Sequence, residues 1–141
     1  MKTLEFISQC IKHPSYVGAI APSTENLAVQ MVAPVNLNQI QTIVEYGAGT
    51  GVFTQYIANR IDHNKTLFFS FEIDDKLHKI CSQLLPDVEI IKDSAANIKE
   101  QLKKHGKNHT DAIISGLPWA IFPDKLQDEI LEPTVEALAD G

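Results

Sequence analysis

The stretch VEYGAGTGVFT, residues 44–54, ends a short apolar run with three glycines at alternate positions, Gly47, Gly49 and Gly51. The whole chain holds only seven glycines, so their concentration here asks for a reason. Glycine has no Cβ in the way and adopts positive φ readily, which suits a backbone that another molecule must approach closely. The residues before the loop, QTIVEYG (41–47), read as a strand. Those after it, VFTQYIANRI (52–61), carry Phe53, Tyr56, Ile57 and Ile61 at helical spacing. A helix that opens straight after such a turn points its first free amides at whatever the loop holds.

The same alternation continues outward. KTLFFSFE (65–72) is aromatic-rich and strand-like. DDKLHKICSQLL (74–85) places Leu77, Ile80, Cys81 and Leu84 on one helical face and stops at Pro86. DVEIIKD (87–93) alternates as a strand does, and SAANIKEQLKKHG (94–106) opens on a capping serine and closes on glycine. TDAIISGLPW (110–119) reads as a strand running into a proline turn. DKLQDEILEPTVEALADG (124–141) reads as helix in two pieces, kinked or broken at Pro133.

Strands alternating with helices of this length predict an α/β fold: a Rossmann-like open, mostly parallel sheet with helices on both faces. The pattern breaks off after the fourth strand and its helix. The C-terminal strands are therefore expected to be missing, with an exposed edge on the fourth strand through which the chain could self-associate. Upstream, an apolar-faced helix is expected within 3–12, a loop at HPSYVGAIAPS (13–23), and a second helix at TENLAVQMVA after the Ser23 cap. The division is an N-terminal helical segment over 1–35 and the sheet-forming core over 36–141.

Composition narrows the function classes. Apolar residues make up 44% and charged residues 21%, as in an ordinary globular domain. No apolar run approaches the ~18 residues of a membrane span, and the start MKTLEFISQC has no signal-peptide pattern, so a cytoplasmic protein is expected. The net charge is −6, with Arg60 the only arginine, which argues against a dedicated nucleic-acid surface. Cys10, Cys81 and the five histidines show no metal-ligand spacing, so no metal is expected and both thiols read as reduced, packed side chains.

EYGAGTG (45–51) resembles motif I of the class I S-adenosylmethionine-dependent methyltransferases, whose pattern is acid-x-Gly-x-Gly-x-Gly. The resemblance implies that Glu45, Gly47, Ala48, Gly49 and Gly51 cradle S-adenosylmethionine, with Glu45 facing its methionine end directly or through water. It also implies an acid at the end of the second strand to hold the ribose diol. Glu72, followed by Ile73, stands 21 residues after Gly51, and a carboxylate accepts a diol's hydrogen bonds well. The bland alternative is a helix cap, a role left to Asp74. At the third strand's end the resemblance puts Asp93 against the adenine amino group, with Ser94 and Ala95 beside the ring. Asp93 as one more helix cap is the alternative.

SGLPWAIF (115–122) resembles motif IV of amino-group methyltransferases. It implies Ser115 at the cofactor and Leu117, Pro118 and Trp119 as the catalytic, acceptor-orienting turn. Trp119 could stack on a base, hold a developing cation by cation–π contact, or simply pack in the core. The motif order is similar to that of the ribosomal RNA adenine dimethyltransferases, but Gly116 stands where they carry Asn. VGAIAPS (17–23) and SGLPWAIFP (115–123) are similar to segments of the bacterial phospholipid N-methyltransferases. That resemblance implies transfer to the amine of phosphatidylethanolamine, peripherally at the inner membrane, with the helix at 3–12 lying on the lipid surface. The alternatives are methylation of adenine N6 in ribosomal RNA, and an inactive fragment that only binds cofactor. Lys103, Lys104, His105 and Lys107 could meet anionic groups, or complement a helix C-terminus.

Overall fold

A computed structural model describes residues 25–139. The expected helix within 3–12, the 13–23 loop with its VGAIAPS segment, and residues 140 and 141 lie outside that range. The described elements run α1 (Glu25–Val32), β1 (Thr42–Tyr46), α2 (Val52–Ala58), β2 (Leu67–Phe71), α3 (Asp75–Leu84), β3 (Glu89–Ile91), α4 (Ile98–Lys104), β4 (Ala112–Ser115) and α5 (Asp124–Ala137). Single 3₁₀ turns occupy Ala95–Asn97 and Trp119–Ile121. None of the described helices is long and apolar enough to cross a membrane.

The four strands form one parallel sheet in the order β3-β2-β1-β4. All five residues of β1 are buried, as a central parallel strand covered on both faces requires. Its side chains alternate between two cores. Ile43 packs with Ala28 and Val32 of α1, Phe53 and Ile57 of α2, and Cys81 of α3. Val44 and Tyr46 face the other way, onto Phe69, Phe71, Ile98, Leu102, Leu126 and Ile130, under α4 and α5. The Rossmann-like architecture expected from the alternation is therefore present through its fourth strand.

α5 is one continuous helix through Pro133, not two pieces. Leu126 and Ile130 before the proline and Ala137 after it are all buried, so packing on the sheet holds both halves in line against the local preference. Thr134 reinforces the joint. Its hydroxyl donates to the Ile130 carbonyl (2.7 Å) and accepts from the buried Tyr46 hydroxyl (2.6 Å). Tyr46→Phe is expected to lower stability by about 1 kcal/mol, the usual worth of one such bond, in a urea melt followed by circular dichroism.

β4 pairs with β1 on one side only. Beyond α5 the chain turns back beside it: Thr110 N–H donates to Ala137 O (2.8 Å), and Ala139 N–H donates to Thr110 O (3.0 Å). The basic cluster splits in two. Lys103 and Lys104 sit in the last turn of α4, where cations complement the helix dipole. His105 turns inward instead, stacking on Phe69 at 4.8 Å and meeting the Glu89 carboxylate at 2.6 Å.

Candidate functional site

In a parallel sheet every strand ends on the same side, so four loops converge at one rim. The β1–α2 loop is tied to the end of β2, because Gly47 N–H and Ala48 N–H both donate to Phe71 O (2.8 and 3.0 Å). Gly47, Gly49 and Gly51 all have positive φ, at 76°, 56° and 87°. Space is as decisive as angle at the first of them. A Cβ on Gly47 would lie 3.1 Å from Leu117 Cδ2, so the loop and the β4 turn meet backbone to side chain. Gly47→Ala is expected to lower stability by about 1–2 kcal/mol, the penalty of an L side chain at left-handed φ, measured by thermal unfolding.

A narrow cleft, partly open to solvent, lies between these loops. It is lined by Gly47, Phe71, Glu72, Ile73, Asp93, Ala95 and Leu117. Six of these seven were singled out from the sequence; Phe71 was not. They come from four different strand ends, which is why only the folded sheet brings them together.

Glu72 is 2% exposed. Its Oε1 accepts from Gly49 N–H (2.7 Å) and its Oε2 from Asp74 N–H (3.0 Å). A carboxylate offers about four acceptor positions, and with the Gly49, Asp74 and Ile73 amides on it, one is left for a diol hydroxyl. Burial pushes its pKa above the ordinary 4.5, against the pull of the Asp74 and Gly49 amides. The helix-capping role falls to Asp74, whose Oδ1 accepts from Leu77 N–H at 2.9 Å. The Gly49 peptide is gripped at its other end too: its carbonyl accepts from Cys81 Sγ at 2.8 Å. Burial first, then the Glu72 and Glu45 charges, push the Cys81 thiol up to about 11, so it stays a protonated donor.

Glu45 does not line the cleft. It is fully buried beneath the loop, where its Oε1 accepts from the Thr54 hydroxyl and from Ser70 Oγ (2.8 Å). Its Oε2 is buried with no partner among the described residues. Burial raises its pKa to about 7; the two hydroxyls oppose the rise and Glu72 adds to it. Thr54 and Ser70 escaped the sequence reading. The signal was there for Ser70, a lone polar residue in the aromatic run LFFSF, directly across from Glu45 in the ladder.

Asp93 caps no helix. Its Oδ1 accepts from Ser94 N–H (2.7 Å) and Asn97 Nδ2 (2.8 Å), which steadies the carboxylate at the cleft wall. Ser94 is the cap, with Oγ accepting from Ala96 N–H at 3.1 Å. The β4 turn is similarly self-bonded. Ser115 Oγ accepts from Leu117 N–H (3.2 Å) and from the Trp119 indole N–H (2.8 Å). The Trp119 ring packs on Phe122 with centroids 5.9 Å apart, and Pro118 is buried. Of the three turn residues, Leu117 is the one that reaches the cleft. A side chain at Gly116 would be crowded at its root: a Cβ there would stand 3.1 Å from Gly47 O.

Comparison with known proteins agrees with this geometry. Residues 23–121 match the family model described as ribosomal RNA adenine dimethylase. The ornithine lipid N-methyltransferase of Singulisphaera acidiphila is 26% identical over 137 residues, covering 95% of this chain and 71% of that protein. The O-methyltransferase of tomaymycin synthesis from Streptomyces achromogenes, solved with S-adenosylmethionine, is 15% identical with a TM-score of 0.66. It is covered by all of this chain, which spans 62% of its length. A Clostridium thermocellum protein described as an rRNA methylase is 19% identical with a TM-score of 0.61, over 86% of this chain and 66% of its own. At such identities the likeness to the solved structures is one of fold, and the chain spans less than two thirds of their length. The residues at the cleft suit such a cofactor, since a buried carboxylate, Glu72, and a second one, Asp93, stand at its wall beside the glycine loop. Matched by the family model over most of its length, the chain belongs to the ribosomal RNA adenine dimethylase family, among the class I methyltransferases whose cofactor is S-adenosylmethionine.

Proposed function

We propose that this protein methylates the amine nitrogen of a lipid head group, phosphatidylethanolamine first, at a membrane surface. The observation that carries the choice is the bare turn at Gly116. A side-chain amide would help hold a flipped adenine amino group; here the position has no side chain, and a Cβ would crowd the Gly47 carbonyl at 3.1 Å. The indole N–H of Trp119 is also committed to Ser115, and its ring to Phe122. The lipid N-methyltransferase of Singulisphaera acidiphila supports the same reading.

In this reading Glu72 receives a ribose hydroxyl and Asp93 the adenine amino group on Oδ2, with Ile73, Ser94 and Ala95 around the ring. Gly47, Ala48, Gly49 and Gly51 present backbone to the remainder of the cofactor. Glu45 acts from below, holding the loop to β2 and α2 through Ser70 and Thr54. When bound, S-adenosylmethionine supplies an electrophilic methyl group. The chain's part is to aim a neutral amine at it: Leu117 walls the cleft, and Pro118 and Trp119 fix the turn that carries it. Positioning of this kind accounts for large rate factors without a side-chain base. Ribosomal RNA adenine remains the second reading, favoured by the family match.

A radiolabelled methyl assay should offer phosphatidylethanolamine vesicles, ornithine-lipid vesicles and unmodified ribosomal RNA in parallel. Label in a lipid amine is the expected result. Label in RNA alone establishes the second reading, and no label anywhere, with cofactor demonstrably bound, overturns both.

A further inference from the structure

The acceptor-side turn, residues 116–122, belongs to no strand or α-helix, yet it supplies Leu117 to the cleft. Its two ends are anchored differently. At the β4 end, Gly116 N–H donates to Tyr46 O at 2.8 Å, tying the turn to the central strand. At the far end the anchor is a side chain on α5. Gln127 closes the first turn of that helix with its own backbone, its N–H donating to Pro123 O at 3.1 Å. Its side chain then folds back, and Nε2 donates to Trp119 O and Phe122 O, each at 3.1 Å. An amide has two protons to give, and two carbonyls are in range. Its sequence neighbours cannot do the same: Leu126 is buried in the core and Asp128 is exposed and carries no donor.

We infer that Gln127 is a positioning residue for the transfer reaction, bracing the 119–122 turn so that Trp119 and Leu117 present the acceptor amine at a fixed place. The inference rests on the amine-transfer reading above. Within its own turn, Trp119 N–H donates to Leu117 O (3.0 Å), its carbonyl accepts from Phe122 N–H (3.1 Å) and its indole donates to Ser115; Gln127 adds the side-chain tie from that carbonyl to α5. Without Gln127 the turn keeps its internal bonds but loses this tie to the helix, so it can shift as a unit. A displacement of about 1 Å at a reacting centre costs roughly 100-fold in rate, whereas Gln127 is not among the residues lining the cleft proposed for the cofactor. The brace therefore acts on the acceptor side alone.

Trp119 is the only tryptophan in the chain, so its fluorescence reports this turn and nothing else. Two variants remove the donors: Gln127→Glu, nearly isosteric, and Gln127→Met, neutral and unbranched. Each is measured for folding by circular dichroism, for S-adenosylhomocysteine affinity by titration calorimetry, for acrylamide quenching of Trp119, and for methyl transfer to lipid vesicles. The expected result is affinity within twofold of wild type, quenching raised about twofold, and kcat lowered about tenfold or more. Unchanged quenching, or transfer at the wild-type rate, overturns the inference, as does a loss confined to cofactor affinity. A wild-type protein that binds S-adenosylhomocysteine yet methylates no amine overturns the amine-transfer reading itself, on a separate measurement.

Discussion

Glu72→Ala should weaken S-adenosylhomocysteine binding by about 1–3 kcal/mol, roughly 5- to 150-fold, in calorimetric titration of the folded variant. The carboxylate is 2% exposed and accepts the Gly49 and Asp74 amides while facing the cleft. Truncation removes the acceptor proposed for the ribose and leaves the Gly49, Asp74 and Ile73 amides without their partner. The loss should exceed that of Glu72→Gln, which keeps one acceptor oxygen for the Gly49 amide. Affinity that does not move in either variant would remove Glu72 from the binding site.

Glu45 should make the protein less stable as pH rises, and Glu45→Gln should remove that slope. The carboxyl titrates near 4.5 in the unfolded chain and near 7 in the fold, where burial disfavours its charge. Below about pH 4.5 both states are protonated and its full contribution is present. Between there and about 7 the unfolded state loses its proton first, so stability falls; above about 7 the loss levels off. A shift of this size is worth about 3 kcal/mol, an order-of-magnitude figure by proton linkage. Gln offers the same acceptor oxygen to Thr54 and Ser70 without the buried charge. At pH 8 the variant should unfold at higher urea than wild type, and at pH 4.5 the two should converge. A wild-type curve as flat as the variant's would show that Glu45 keeps an ordinary pKa. Glu72 is displaced in the same direction, so the difference between wild type and Glu45→Gln, not the wild-type slope alone, is the decisive quantity.

The sheet was legible because each strand carries its own signal within five or six residues. TIVEY and LFFSF are β-branched or aromatic, and each is followed by a turn residue and a helical face. Pro133 misled because its local rule is strong and the burial of Ile130 and Ala137 that overrides it is not visible in a window of sequence. The site was legible at its corners. Glycine spacing marks the loop, and an acid at each of the next two strand ends marks Glu72 and Asp93. Its braces were not. Cys81 read as a small apolar side chain, and only its contact with Gly49, 32 residues away, gives it a task. Gln127 looks like any polar residue on an exposed helix face until the turn before it folds back.

Local spacing of glycines, acids and apolar residues determined by itself that this chain builds a parallel α/β sheet with a glycine-lined loop after its first strand. Those features act over one turn or one strand, the range across which a sequence pattern has direct physical meaning. Only the tertiary structure decided which way each polar group points: Glu45 down into the core, Trp119 onto Ser115, Glu72 onto Gly49 as well as toward the cleft. A buried polar atom takes whatever partner the packed fold brings within about 3 Å, and for Glu45 and Glu72 one partner each, Ser70 and Gly49, comes from more than twenty residues away.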